Sequence, residues 1–210
     1  MAMSTPPAKA RRTGGRSARV RAAVLRATLD ALLAGSADEL SIRDVAQRAG
    51  VHETSIYRRW GTRANLILDA ALSEIEAAVP PPDTGSLRGD LLALVGSIAA
   101  FITTPTGQVL LHLAVKDDLP EEQGVRERFW AERFTIGQQV LRRAEARGEL
   151  RAGLDYRLTA ETLIGALCVR VLLTRERVDD TVTEHIVDLV LAGISPTEFS
   201  LGGAGRKISS

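Results

Sequence analysis

The 210-residue sequence predicts an all-α chain of about nine helices. Three observations carry that expectation. Apolar residues recur at three- and four-residue steps along nearly the whole chain. Long alternating runs of β-branched residues, which a half-buried strand needs, are missing. Capping hydroxyls and carboxylates, glycines and prolines fall between the apolar stripes at helix-length intervals. With 45% hydrophobic residues the chain holds enough apolar side chains to bury a substantial core.

Residues 1–15 combine proline, small residues and basic charge without periodic hydrophobics and read as a disordered basic arm. Val20, Val24, Leu25, Ala27, Leu29, Leu32 and Leu33 form the inner face of a first helix that stops near Gly35. A second, short helix runs from Ser41 to Ala49. Ser41 is its N-cap, Asp44 stands where a carboxylate completes a capping box, and Gly50 suits a left-handed residue just past the end. A third helix begins at His52 and ends before Gly61. Thr62 caps a fourth, whose stripe of Leu68, Leu72, Ile75 and Val79 is terminated by Pro80-Pro81-Pro82.

The second half is patterned in the same way. A fifth helix carries Leu87, Leu91, Leu94, Ile98 and Phe101 on one stripe and is interrupted at Thr104-Pro105. A sixth covers Gly107 to Val115. The seventh is long, Glu121 to Arg147, with Val125, Phe129, Ile136 and Val140 on one stripe and Trp130, Phe134 and Leu141 on a neighbouring one; Gly148 ends it. From Leu163 to Leu173 an eighth helix is apolar nearly all round, broken only by Arg170, so it must face more than its own core. A ninth, Asp179 to Ala192, sets Val182, Ile186, Leu189 and Val190 beside a polar face of Glu184, His185 and Asp188. Residues 200–210 read as a flexible tail. Two such final helices docked against a two-fold copy would make a four-helix homodimer interface.

Composition excludes several classes of chemistry. The single cysteine, Cys168, permits no internal disulfide, and the three histidines, His52, His112 and His185, are scattered without metal-ligand spacing. No nucleophile with a base, phosphate-binding glycine loop or carboxylate pair presents itself, so no cofactor, no metal and no enzyme activity are expected. Arg21, Arg26 and Asp30 interrupt the apolar stretch near the N-terminus, and no run reaches membrane-span length, which points to the cytoplasm and away from a membrane partner. The charge is uneven: residues 1–65 hold twelve Lys/Arg against five Asp/Glu, while the remainder holds fifteen against twenty-one. A basic N-terminal third joined to an acidic remainder suits a module that meets phosphate and a second that does not.

Residues 41–60, Ser-Ile-Arg-Asp-Val-Ala-Gln-Arg-Ala-Gly-Val-His-Glu-Thr-Ser-Ile-Tyr-Arg-Arg-Trp, have the grammar of a helix-turn-helix. Two short helices meet at Gly50. Ile42, Val45, Ala46, Ala49, Val51, Ile56 and Trp60 are the apolar pegs, and the small Ala46 and Ala49 permit close approach. The polar face is left for DNA.

From Arg16 to about Ala70 the sequence closely resembles the tetracycline-repressor (TetR) family, through Ser41-Ile-Arg-Asp-Val-Ala, Ala49-Gly-Val, Ser55-Ile-Tyr and Trp60-Gly-Thr-Arg-Ala-Asn-Leu. The resemblance implies a three-helix DNA-binding domain over residues 16–62 and a helical bundle for ligand binding and dimerisation over 63–199. Arg43 then matches a position that reaches a base edge, where a guanidinium fits guanine. Thr54 and Ser55 start the recognition helix, Tyr57 is the hallmark aromatic with a hydroxyl for a phosphate, and Arg63 keeps the charge the family usually supplies with lysine. His52 and Glu53 depart from the family's serine or threonine cap, although Glu53 could accept from a cytosine amino group. Arg58 and Arg59 are backbone-contact candidates, and Arg11, Arg12, Arg16 and Arg19 are minor-groove candidates.

For the larger domain the resemblance implies a cavity for a small, mostly apolar effector, lined by Phe101, Leu110, Trp130, Phe134, Leu163 and Leu167, with His112, Gln138 and Arg170 as polar handles. The implied whole is a nucleoid-associated homodimer on double-stranded operator DNA, a repressor released by its effector. Two rival readings stay open: an all-helical enzyme or interaction protein whose helix-turn-helix only packs, and a DNA-binding regulator without a small-molecule ligand.

Overall fold

Helix punctuation in the sequence is largely what the computed structural model displays; it describes residues 14–35, 39–115 and 123–196. Most of the arm, the 200–210 tail, the first two residues of the expected seventh helix and the Val125 side chain lie outside the described residues. Among those described there are nine α-helices: α1 (Gly14–Ala34), α2 (Ile42–Ala49), α3 (Glu53–Trp60), α4 (Arg63–Ala78), α5 (Leu87–Ile102), α6 (Pro105–Val115), α7 (Gln123–Ala146), α8 (Tyr156–Cys168) and α9 (Asp180–Ile194).

The caps explain where these helices begin and end. Ser41 sits in extended backbone and its hydroxyl accepts from the Asp44 amide at 3.3 Å. Gly50 ends α2 at φ 66°, a left-handed conformation that costs glycine least. Thr62 accepts from the Asn65 amide at 3.2 Å, Asp155 from Leu158 at 3.0 Å and Asp179 from Val182 at 3.0 Å.

Contacts divide the chain into two compact units, Met1–Ala78 with Phe101–Trp130, and Val79–Ala100 with Ala131–Ser210. In the first, α1 packs on α2, α4 and α6, and α3 packs on α2 and α4. Its core joins Val24, Leu32, Val45, Ile56, Leu66 and Leu110. In the second, Leu91, Val95, Val140, Leu141, Leu167 and Val187 are fully buried. Asp90, also fully buried, accepts from the Thr84 amide at 2.6 Å, the Thr84 hydroxyl at 2.9 Å and Arg147 at 3.3 Å. Burial alone would raise its carboxyl; the hydrogen bonds from Thr84 and Arg147 outweigh that and hold it below the ordinary aspartate value.

Several expectations need correction. α1 already begins at Gly14, so the last two residues assigned to the arm are helical. Leu33 is 45% exposed because the inner face of α1 runs through Leu25, Thr28 and Leu32. α6 starts at Pro105 instead of Gly107: the proline is a helix opener, and Thr104 accepts from the Gly107 amide at 3.0 Å. α8 starts seven residues before Leu163, capped by Asp155, and Val169–Thr174 continue it as a π-helical segment. On α9, Ile186 is buried as expected, but Thr183, Val187 and Ile194 share its face and Leu189 is 77% exposed, so the inner stripe is turned away from 189 toward 183 and 187.

Two glycines are required for different reasons. A side chain at Gly50 meets open space but strained backbone, whereas a Cβ at Gly107 would run into the Phe101 carbonyl. Gly50→Ala should therefore cost about 1 kcal/mol, and Gly107→Ala about 3 kcal/mol. Chemical denaturation should place both midpoints below that of the parent and the Gly107 variant lowest.

Candidate nucleic-acid interface

α2 and α3 are short amphipathic helices with their apolar pegs turned inward. Ile42, Val45 and Ala46 of α2 are buried, as are Ile56 and Trp60 of α3. The opposite faces are open: Arg43 on α2, and Glu53, Thr54, Tyr57, Arg58 and Arg59 on α3 are exposed, with His52 just before the helix. Tyr57 is 51% exposed. Ser55 and Arg63 are half-buried, the first turned partly toward the crevice described below and the second opening α4. His52 occupies the N-cap in extended backbone without a side-chain capping bond, as expected of an imidazole at that place.

Behind the polar face lies a network that no local pattern announced. The Trp60 indole N–H donates to Asp69 Oδ2 at 2.8 Å, and Arg21 forks onto both Asp69 oxygens, its Nε at 3.1 Å. Arg59 lies over the Trp60 ring, 5.4 Å from its centroid, and its Nη1 donates to Ser17 at 3.3 Å. Burial would raise the Asp69 carboxyl, but hydrogen bonds from Arg21 and Trp60 and the nearby positive charges of Arg21 and Arg59 reverse this and hold it low. α1, α3 and α4 are tied together by one carboxylate.

A crevice of about 750 Å³ opens beside α3, lined among others by Arg16, Ser17, His52, Ser55, Arg58 and Arg59. Its polar lining is cationic, the sign that phosphate requires. Arg16 is among the minor-groove candidates of the sequence; Ser17 is not among its candidates, and its one advance signal is its place at the basic start of α1.

The described residues contain no group of three His, Cys, Asp or Glu arranged to hold a metal ion. Among the described residues no single helix is long and apolar enough to cross a membrane. Burial pushes the Cys168 thiol up, away from the reactive thiolate.

Comparison with known proteins identifies this arrangement. Residues 24–70 match the model of the bacterial regulatory proteins, tetR family, and residues 81–190 that of the tetracyclin repressor-like C-terminal domain. The chain belongs to the TetR family. It is 35% identical over 192 residues to the HTH-type transcriptional regulator AqdR of Rhodococcus erythropolis, covering 91% of this chain and 93% of that protein. It is 32% identical over 174 residues to the DNA-binding transcriptional repressor TetR of Mycobacteroides abscessus, covering 81% and 90%. The crystal structure of the TetR family transcription regulator SCO0332 superposes with a TM-score of 0.70 at 32% identity, covering 85% of this chain and all of that one. As a TetR-family member the protein is a DNA-binding transcriptional regulator rather than an enzyme.

The effector candidates fall in different places. In the first unit Leu110 is buried, Phe101 is half-buried, Trp130 donates to the Ala114 carbonyl at 3.2 Å and stacks edge-on to Phe129, and His112 is exposed with Nδ1 on the Gln108 carbonyl. In the second unit Phe134, Leu163 and Leu167 are buried, with Arg157 over the Phe134 ring, and Gln138 holds Arg142 one turn on. Arg170 pairs with Glu176 at 2.8 Å, donates to the Arg177 carbonyl at 3.2 Å and so closes the end of the π-helical segment.

The Asp69 tie gives a pH prediction with a definite sign. Its carboxyl titrates lower in the folded than in the unfolded protein, so its contribution is complete above the unfolded value and lost as pH falls through the folded one. Asp69→Asn should flatten the acid limb of the stability curve in that window. Asp69→Ala should cost about 2 kcal/mol at neutral pH, read by denaturant titration; an unchanged acid limb in the Asn variant would refute the assignment.

Proposed function

We propose that this regulator binds a near-palindromic operator as a homodimer, with α3 as the recognition helix in the major groove, and acts as a repressor released by a small apolar effector. The observation that carries the DNA part is the division of α3: Ile56 and Trp60 are locked inward while Thr54, Tyr57 and Arg58 face out. Arg43 and Glu53 are suited to base edges; Thr54, Ser55, Tyr57, Arg58 and Arg63 to phosphates; His52 borders the crevice. Arg59, drawn over Trp60 and onto Ser17, meets the backbone rather than a base. The protein works in the cytoplasm, on nucleoid DNA.

Dimerisation through the last two helices is supported by the large apolar side chains left open there: Leu158, Val169, Leu173 at 75% and Leu189 at 77% exposure. A two-fold pair would set its recognition helices roughly 34 to 36 Å apart. The domain boundary near residue 63 then separates DNA reading from ligand binding and dimerisation. The effector site would draw on Phe101, Leu110, His112, Trp130, Phe134, Gln138, Leu163 and Leu167. A regulator without an effector is the second reading, favoured by the burial of Leu110, Phe134, Leu163 and Leu167 among the chain's own side chains.

Footprinting on DNA flanking the protein's own gene tests the operator, and its affinity should fall steeply with salt. Arg58→Ala should weaken binding across sequences and reduce the salt slope by about one; a flat salt response would contradict phosphate contact. Leu173→Glu with Leu189→Glu should shift sedimentation from dimer to monomer and lose operator binding. A thermal-shift screen of lipophilic compounds separates the two effector readings, since only a sensor is stabilised by a ligand.

A further inference from the structure

The recognition helix is only eight residues long, too short to hold its own orientation, and its C-terminal end is fastened from outside. The Trp60 carbonyl, one of those a helix end leaves open, accepts from Asn65 Nδ2 at 2.9 Å. The other half of that carboxamide is also engaged: Asn65 Oδ1 accepts from Arg128 Nη2. Arg128 is in turn steadied on α7, its Nε donating to the Gly124 carbonyl at 3.2 Å. All these groups lie within the first unit. Reversing the amide would set its oxygen against a carbonyl and its NH₂ against a guanidinium, so only one orientation makes both bonds.

We propose that Asn65 is a positioning residue for operator recognition, and that the relay from Arg128 through Asn65 to the Trp60 carbonyl lets α7 set the orientation of α3. The inference rests on α3 being the DNA-reading helix. The residue type is what such a relay needs. An aspartate would keep the arginine and offer the carbonyl no donor; an aliphatic side chain would do neither. Asn65 and Arg128 stand outside the DNA-facing set, so they act on recognition only through Trp60. Withdrawal of Arg128 with any movement of α7 frees the carboxamide, loosens the end of α3 and lowers operator affinity without altering a group that touches DNA.

The test uses the full-length protein with its footprinted operator and a scrambled duplex of equal length, at several salt concentrations. Arg128→Ala should lower operator affinity about fivefold and Asn65→Ala about tenfold, within the usual range for coupled sites. Scrambled-duplex affinity, salt slope and melting temperature should stay those of the parent. Asn65→Asp should match Asn65→Ala in the ratio of operator to scrambled affinity, a ratio that cancels its added charge. The double variant Arg128→Ala/Asn65→Ala should bind no more weakly than Asn65→Ala. The relay is overturned by an Asn65→Asp ratio equal to the parent's, or by additive losses in the double variant. It is also overturned by a salt slope reduced by about one in Arg128→Ala, which would mean direct phosphate contact, or by operator and scrambled affinities falling together with melting temperature. A parent protein that does not prefer its operator would sink the regulator reading itself; a parent that does, with variants indistinguishable from it, sinks only the relay.

Discussion

The Trp60 indole imposes the condition on which the DNA-reading head depends. Its ring must be buried to close α3 against its neighbours, yet a buried N–H without an acceptor costs about 1 to 3 kcal/mol. Asp69 supplies the acceptor and thereby brings a carboxylate into a half-buried position. That charge needs its own partner, which Arg21 of α1 provides with a fork. One aromatic at the end of an eight-residue helix thus dictates a residue on α4 and another on α1, and the three helices are held in one geometry. The outward set of Thr54, Tyr57 and Arg58 follows, because locking the inner face leaves the opposite face no other direction.

The same arrangement changes how the basic charge of the N-terminal third should be counted. Arg21 and Arg59 already hold partners within the protein: Arg21 neutralises Asp69, and Arg59, though exposed, is shared between Trp60 and Ser17. The exposed cations on the helix-turn-helix itself are Arg43, Arg48, Arg58 and Arg59. Long-range attraction to phosphate depends on the sum and is little affected, while short-range contact depends on which guanidiniums are free to move. The simple excess of twelve basic over five acidic residues therefore describes steering better than it describes the footprint.

What the sequence disclosed divides along the distance over which each signal acts. The Ser41 and Thr62 caps, the left-handed Gly50 and the poor capping by His52 are local chemistry and were readable residue by residue. The start of α8 was not, because its first turns present Thr159 and Ala160 inward and Leu158 outward, so no apolar stripe marks them. Pro105 interrupts the apolar pattern like a breaker, yet the same lack of an N–H suits the helix opening it makes. Leu33 and Leu189 fit a three-and-four spacing yet lie outside the buried face, since spacing limits a stripe only to within about a hundred degrees. At the site, the outward residues were legible from the motif. Ser17, Asp69 and Arg128 were not: their partners stand 42, 9 or 48, and 63 residues away in the chain, and only the tertiary fold brings them together.

The second unit poses a complementary problem of leftover apolar surface. Asp90 and Glu149 secure the start of α5, through Thr84 and the Leu87 amide, and Arg147 joins the two carboxylates. Leu158, Val169, Leu173 and Leu189 remain open on α8, its π-helical continuation and α9. Fully burying such side chains is worth roughly 1.5 to 3 kcal/mol each, and about half or more of that is still available at their present exposure. One set of four against an unrelated surface would return only about 4 to 6 kcal/mol, near the lower bound of the roughly 4 to 15 kcal/mol that association costs. A two-fold contact buries the set twice and roughly doubles the return for the same loss of rigid-body freedom. The magnitudes therefore favour an isologous pairing, and they also require further contacts from half-buried neighbours such as Val171, Leu172 and Val190 before such a dimer holds at low concentration.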